Sequence, residues 1–326
     1  MDQNLLTTIT DILSIPFGHL IGFFYDISGN YILSLLLMTI CVKLILLPSS
    51  IKQQKGMTKS QRMQPKIRRI REKYAGNQQK MNEAMQELYS KEGFSPMGGG
   101  CLPMLIQLPI MMGVYSVNYK ILDYVLRIKD ADLVLIKNAV SALPKDIIGK
   151  VAESEASLDR QIELLAIQHL DKLDLTGVSA EAIEAMQSFV DKFTFFGVNL
   201  AEQPDIKMGA TLLWLVPILT GVVSLGMGIY TFLRQRKTNP EMAKNPSMGC
   251  MSLMTPAMSV YFSFMFPASV GVYIIISTAL SFIQMVVLNQ IYSPKKVLAK
   301  DMVNETINRR AREKLLKKVS EKKNED

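Results

Sequence analysis

Two histidines, three cysteines and one tryptophan among 326 residues leave little from which to build a metal centre or a disulfide framework. His19 and His169 lie far apart and have no clustered partners, so neither a catalytic nor a metal-binding role is expected of them. Cys41, Cys101 and Cys250 form no CxxC pair, lie in or beside apolar runs, and are absent from the polar region 123–208. Zinc and disulfides are therefore not expected. The chain also lacks a GxxxxGK(S/T) phosphate loop, and its glycine cluster at 98–100 reads as a flexible lead-in to an apolar run. No nucleotide-driven motor, cofactor or enzymatic chemistry is expected. Residues 1–30 contain no Lys or Arg and no small-residue cleavage site, which argues against a secretory signal and for mature protein. That segment carries Asp2, Asp11 and Asp26, and Leu5, Ile9, Ile12, Leu13 and Leu20 form a rough helical stripe broken at Pro16. It predicts an extracytoplasmic amphipathic segment lying in the membrane interface.

What the chain has in quantity is apolar surface and charge, kept apart. It is 48% hydrophobic, yet holds 37 Lys and Arg against 29 Asp and Glu. Such a mixture predicts spans alternating with charged loops. Five apolar runs stand out, at 31–50, 97–122, 208–233, 248–266 and 267–292, with only Phe266-Pro267 as a turn between the last two. Charge orients them. The segments 51–96, 234–247 and 293–326 hold eleven, four and eleven cations, whereas 1–30 holds none and 123–207 holds nine. By the positive-inside rule the first three are cytoplasmic, placing the N-terminus outside and the tail inside a multi-pass chain. Arg127, Lys129 and Lys207, near span ends on the outer side, run against this pattern.

Within 51–96, Gly76-Asn77 separates two helix-forming stretches, about 59–75 and 78–91, and Gly93 is placed as a stop, predicting a cytoplasmic helical hairpin. Its cations suit anionic lipid better than a dedicated nucleic-acid site. Residues 123–207 are acidic, with Leu158, Ile162, Leu165 and Leu173 at helical spacing and Ser179 as a cap for a helix to about Lys192. This predicts an extracytoplasmic helical insertion. The expected fold is an all-α polytopic membrane protein with five transmembrane helices.

Polar residues inside the spans carry the functional reading. Lys43 lies within the apolar run 31–50, where a cation costs about 2.5–3.5 kcal/mol at a helix centre. It either snorkels to the near end or faces a wet cavity, and the residues alone leave both open. Gln107 lies between Pro103 and Pro109 in the second run. The fourth run carries Ser252, Thr255, Ser259 and Ser263, and the fifth Tyr273, Ser277, Thr278, Ser281 and Gln284. Helix packing explains many of the hydroxyls. Lys43, Gln107, Tyr273 and Gln284 form a candidate client-binding groove, with Met251, Met254, Met258 and Met265 as an adaptable wall.

Four stretches carry a resemblance: RMQPKIRRIREKY at 62–74, SPMGGGCLPMLIQLPIMMGVY at 95–115, FFGVNLAE at 195–202 and FPASVGVYIIIST at 266–278. They resemble the YidC-type membrane protein insertases, a family with mitochondrial and chloroplast relatives. The resemblance implies an insertase and chaperone acting without nucleotide on nascent membrane proteins, alone or beside the Sec translocon. It also implies five core spans around a hydrophilic groove open to cytoplasm and lipid, a hairpin that first meets the client, and a groove cation at Lys43. The tail is similar to basic tails that help some members meet ribosomes, although anionic lipid would need only the same exposed cations. A bacterial cell membrane is the implied location. This chain departs from the pattern in having Lys43 where bacterial members usually have arginine, no lipid-modifiable cysteine near residue 1, and a longer acidic outer region. Two rival classes remain: a small-solute transporter, which would usually show internal repeats not evident here, and a scaffold that assembles membrane proteins without moving chain segments.

Overall fold

The computed structural model describes residues 3–92, 102–148, 155–205, 211–238 and 246–292, with scattered positions between 299 and 313. The glycines at 98–100, Cys101, Lys207, residues 239–245 and most of the basic tail lie outside the described residues. Apart from one two-stranded hairpin, the regular structure among the described residues is helical. The chain divides into two compact units, one of residues 1–45 and 104–282, the other of 46–103 and 283–326.

The first unit begins with α1 (Gln3–Ser28), which runs through Pro16 without the expected break. A proline removes one backbone bond, a loss that a long helix packed on neighbours tolerates. Ser14, Gly18 and Gly22, spaced by four, form a small-residue row that seats Tyr124. The Ser14 hydroxyl lies 3.0 Å from the Tyr124 hydroxyl, and a methyl group at Gly18 would come within 2.2 Å of the Tyr124 ring. Asp26, next in the row, pairs with Arg127 at 2.9 Å.

Helix α2 (Tyr31–Ile45) opens on Tyr31, which is 1% exposed. Its hydroxyl donates to Asn118 Oδ1 at 2.5 Å, while Asn118 Nδ2 donates to the Val114 carbonyl at 2.8 Å. Asn118 lies near the end of α5 (Leu102–Tyr119). A four-residue helix α6 (Ile121–Tyr124) follows, then the insertion: α7 (Asp130–Ser141), α8 (Lys145–Ile148), α9 (Glu155–Gln168) and α10 (Ala180–Lys192). The predicted stripe holds. Ile162 and Leu165 are buried, and Leu158 and Leu173 pack against the same core. Ser179 is the N-cap of α10, its hydroxyl accepting from the Ala182 amide, and Asp132 accepts from both the Ser179 amide and its hydroxyl at 3.1 and 2.7 Å. These two bonds hold the Asp132 carboxyl below its ordinary range.

Glu163 fastens the insertion to the short helix α6. Its carboxylate, almost fully buried, accepts from the amides of Leu122 and Asp123 at 3.1 and 3.2 Å and faces Lys137 at 3.3 Å. Burial nevertheless pushes its carboxyl above the usual range, against the pull of Lys137 and the amides. Phe189 of α10 and Phe193 at its C-cap stack at 4.7 Å and meet the Tyr31 ring edge-on. The strands β1 (Thr194–Phe195) and β2 (Val198–Asn199) then form an antiparallel hairpin that the sequence pattern did not announce.

The unit closes with α11 (Leu215–Thr238), preceded by a 3-10 turn at Leu212–Trp214, then α12 (Pro246–Met265) and α13 (Ala268–Ile291), whose last turns belong to the second unit. Phe266-Pro267 is the turn between the last two, as expected. Leu212–Arg234 and Ala268–Ile291 are long and apolar enough to cross a membrane. A third candidate arises if Tyr31–Ile45 and Leu47–Gly56 act as one broken span.

The second unit contains α3 (Leu47–Lys73) and α4 (Gln78–Lys91). The sequence carries the first span to residue 50 and starts the hairpin near 59, but the helix breaks earlier, at Leu46, and α3 is continuous from Leu47. Pro48 is the reason. It has no amide hydrogen, restrains the residue before it, and suits the first turn of a new helix. The hairpin turn is where the sequence puts it: Gly76 has φ 95°, and the Asn77 side chain accepts from the Lys80 amide at 3.0 Å. Lys66 pairs with Glu92, and i,i+4 pairs Arg68–Glu72 and Glu87–Lys91 line the exposed faces. Near the C-terminal end of α13, Gln54 donates to Asn289 and Lys55 stands 5.2 Å over the Tyr292 ring.

Candidate functional site

Lys43 sits in the last turn of α2, where the helix dipole favours a cation. It is half-buried, and its Nζ donates to Ser281 Oγ at 2.7 Å. Ser281 in turn donates to the Ser277 carbonyl one helical turn earlier, at 2.7 Å. Tyr273, a further turn back, is 4% exposed. Tyr273, Ser277 and Ser281 thus form an i, i+4, i+8 row on one face of α13, about 12 Å long. Among the described residues no acid pairs with Lys43. An ammonium group has three donors, and this hydroxyl takes one of them.

Of the four sequence candidates, Lys43 bonds Ser281, and Tyr273 shares that face of α13 two turns earlier. The backbone of Gln107 lies within α5, but its side chain is outside what the structure describes. Gln284 is three residues beyond Ser281 on α13 and belongs to the second unit. Ser281, the direct partner of Lys43, was legible only as one of several span hydroxyls. Its i+8 spacing from Tyr273 was the available signal.

At the other end of α13 the segment after the hairpin acts as a clasp. The Leu200 amide donates to the Phe193 carbonyl at 3.1 Å, and the amides of Ser269 and Ala268 donate to Leu200 and Glu202 at 2.9 and 2.8 Å. Gln203 Nε2 donates to the carbonyls of Phe264 and Met265 at 3.1 and 2.9 Å. This satisfies orphan groups at the end of α12 and the start of α13, a requirement of every helix terminus. Two of the motifs noted in the sequence, FFGVNLAE and FPASVG, meet here. Gly271 permits the approach, since a methyl group there would lie 2.4 Å from Val216 Cγ1 on α11 and 3.0 Å from Ser263 Oγ.

Long apolar helices, small-residue contacts and a cation within an apolar run together define an all-α membrane protein. The profile of the 60Kd inner membrane protein family matches residues 23–296, and the chain belongs to that family. Similar proteins include the membrane protein insertase YidC of Wolinella succinogenes, 31% identical over 222 residues, 66% of this chain and 38% of that one. The protein of the same name from Clostridium perfringens is 37% identical over 120 residues, 35% of this chain and 50% of that one. The one from Nitratidesulfovibrio vulgaris is 43% identical over 101 residues, 31% of this chain and 19% of that one. The chain thus spans half or less of the length of these relatives.

Proposed function

We propose that this protein is a membrane protein insertase of a bacterial membrane, and that Lys43 with the Ser281–Ser277 row of α13 is the polar surface along which a client's hydrophilic segment passes. The observation that carries the reading is the pairing of Lys43 with a serine hydroxyl rather than an acid. A cation kept in an apolar helix with no counter-ion among the described residues is expensive unless a polar, hydrated partner is to meet it. The family match supports the activity. A client carboxylate about 4 Å from Lys43 would gain about 4 kcal/mol at an intermediate effective dielectric, less as water enters. Much of the cost of drawing an acidic tail into the bilayer would be offset.

In this reading five helices span, the N-terminus and residues 123–207 lie outside, and the hairpin and basic tail lie in the cytoplasm. The ribosome and anionic lipid are the partners that basic cytoplasmic segments of this kind would serve, and the Sec translocon is a partner that the family membership suggests. The test is insertion of an acidic-tailed, single-span client into proteoliposomes, scored by protease protection. Lys43→Ala should impair insertion, Lys43→Arg should retain it, and a client whose tail lacks acids should be less affected. Full insertion of the acidic client by Lys43→Ala would contradict the proposal and favour a scaffold, whereas solute-dependent flux through the wild-type protein would favour a transporter.

A further inference from the structure

The β1–β2 turn presents an aromatic ring where turn chemistry does not ask for one. Phe196 and Gly197 are its two central residues, at φ 49° and 78°. A two-residue hairpin turn with both central residues in the left-handed region prefers Asn or Asp before Gly, because other side chains are strained there. Phe196 accepts that strain while remaining 74% exposed, with one edge contact, to Phe195 at 4.7 Å. Nothing in the packing of the described residues explains the choice of a large apolar side chain.

Its location does. The clasp bonds fix the hairpin to Ala268 and Ser269, the first residues of one membrane-crossing helix. Gly197 adjoins Leu212, the first residue of another, since a methyl group there would lie 3.5 Å from Leu212 Cδ2. Leu212 is itself 60% exposed, and Met265, whose carbonyl Gln203 caps, is 48% exposed. The turn therefore stands where two spans begin, the depth at which exposed Phe and Leu side chains bury into the headgroup and acyl-chain boundary. We infer that Phe196, with Leu212, is a lipid anchor: the hairpin tip dips into the headgroup boundary of the leaflet in which α13 begins and sets the depth of α11 and α13. The partner is the phospholipid surface. The ring leaves water, which offsets the strained turn, and the clasp transmits its depth to both helices.

Trp214 is the only tryptophan, so the variant Trp214→Phe with Phe196→Trp carries a single reporter at the tip. In vesicles of zwitterionic phospholipid its emission should be blue-shifted, quenched by lipids brominated near the headgroup and shielded from aqueous iodide. Quenching by iodide as efficient as for a free tryptophan derivative, without lipid quenching, would overturn the inference. So would shielding from both quenchers, which would mean that protein covers the tip. The unsubstituted chain supplies a second reading. In vesicles containing a lipid with a photoreactive group near the headgroup, the peptide spanning 194–199 should be labelled above a solvent-exposed hairpin peptide such as 77–80. Equal labelling of the two would overturn the proposal whatever the folding of the variant.

Discussion

Replacing Gly271 by alanine adds one methyl group at the crossing of α11, α12 and α13. That methyl would lie 2.4 Å from Val216 Cγ1, where carbon atoms normally rest about 3.5–4.0 Å apart, and 3.0 Å from Ser263 Oγ. Val216 is fully buried, and its β-branched side chain is held to one rotamer in a helix. The strain must be relieved by moving α13, and overpacking of this kind costs about 1–3 kcal/mol. Burial of the added methyl offers no compensation, because lipid tails are as apolar as the helix interface. Unfolding of the purified chain in mixed micelles with increasing dodecyl sulfate measures the loss. Val216→Ala removes the atom in conflict, so Gly271→Ala should cost less in that background, with a coupling of about 1 kcal/mol or more. A Gly271→Ala protein as stable as the parent, or an equal loss in both backgrounds, would refute the close crossing.

Glu163 binds its proton more tightly folded than unfolded, because burial raises its carboxyl. Its contribution to stability is therefore present below the ordinary carboxylate range and lost as pH rises through the raised value. Melting temperatures of the whole chain between about pH 4 and 7 should show this component, and Glu163→Gln should remove it. Asp132, held low by Ser179, has the opposite sign, its contribution being lost as pH falls. Tyr31→Phe should cost about 1–3 kcal/mol in the same micelle assay, because it leaves the Asn118 carbonyl oxygen buried without its donor. A change within error would show that water replaces the hydroxyl.

Much of the helical layout was legible because its signals are local. Ser179 caps α10, Gly76-Asn77 turns the hairpin and Phe266-Pro267 separates α12 from α13, each through the conformation of one or two residues. The break at Leu46 was misplaced because apolar character continues past it, while the backbone responds to Pro48. The β hairpin was missed for a related reason. Phe-Phe-Gly is a weak turn signal, and only Gly197 follows the usual chemistry. Lys43 was legible as a cost, a cation in an apolar run. Its partner was not, since Ser281 is 238 residues away and no periodicity reaches that far. Tyr31 with Asn118 and Glu163 with the start of α6 are likewise long-range pairs, set by tertiary packing rather than local sequence.

The central claim is that client chains pass along the polar surface of Lys43 and α13. The direct measurement is photo-cross-linking from a probe at Gln107, on α5, to a ribosome-bound single-span nascent chain in vesicles, with a probe at exposed Leu33 as control. The account predicts a cross-link from Gln107 well above that from Leu33, reduced by Lys43→Ala when the client tail is acidic. Equal cross-linking from the two positions, with the ribosome docked and the protein folded, would contradict it.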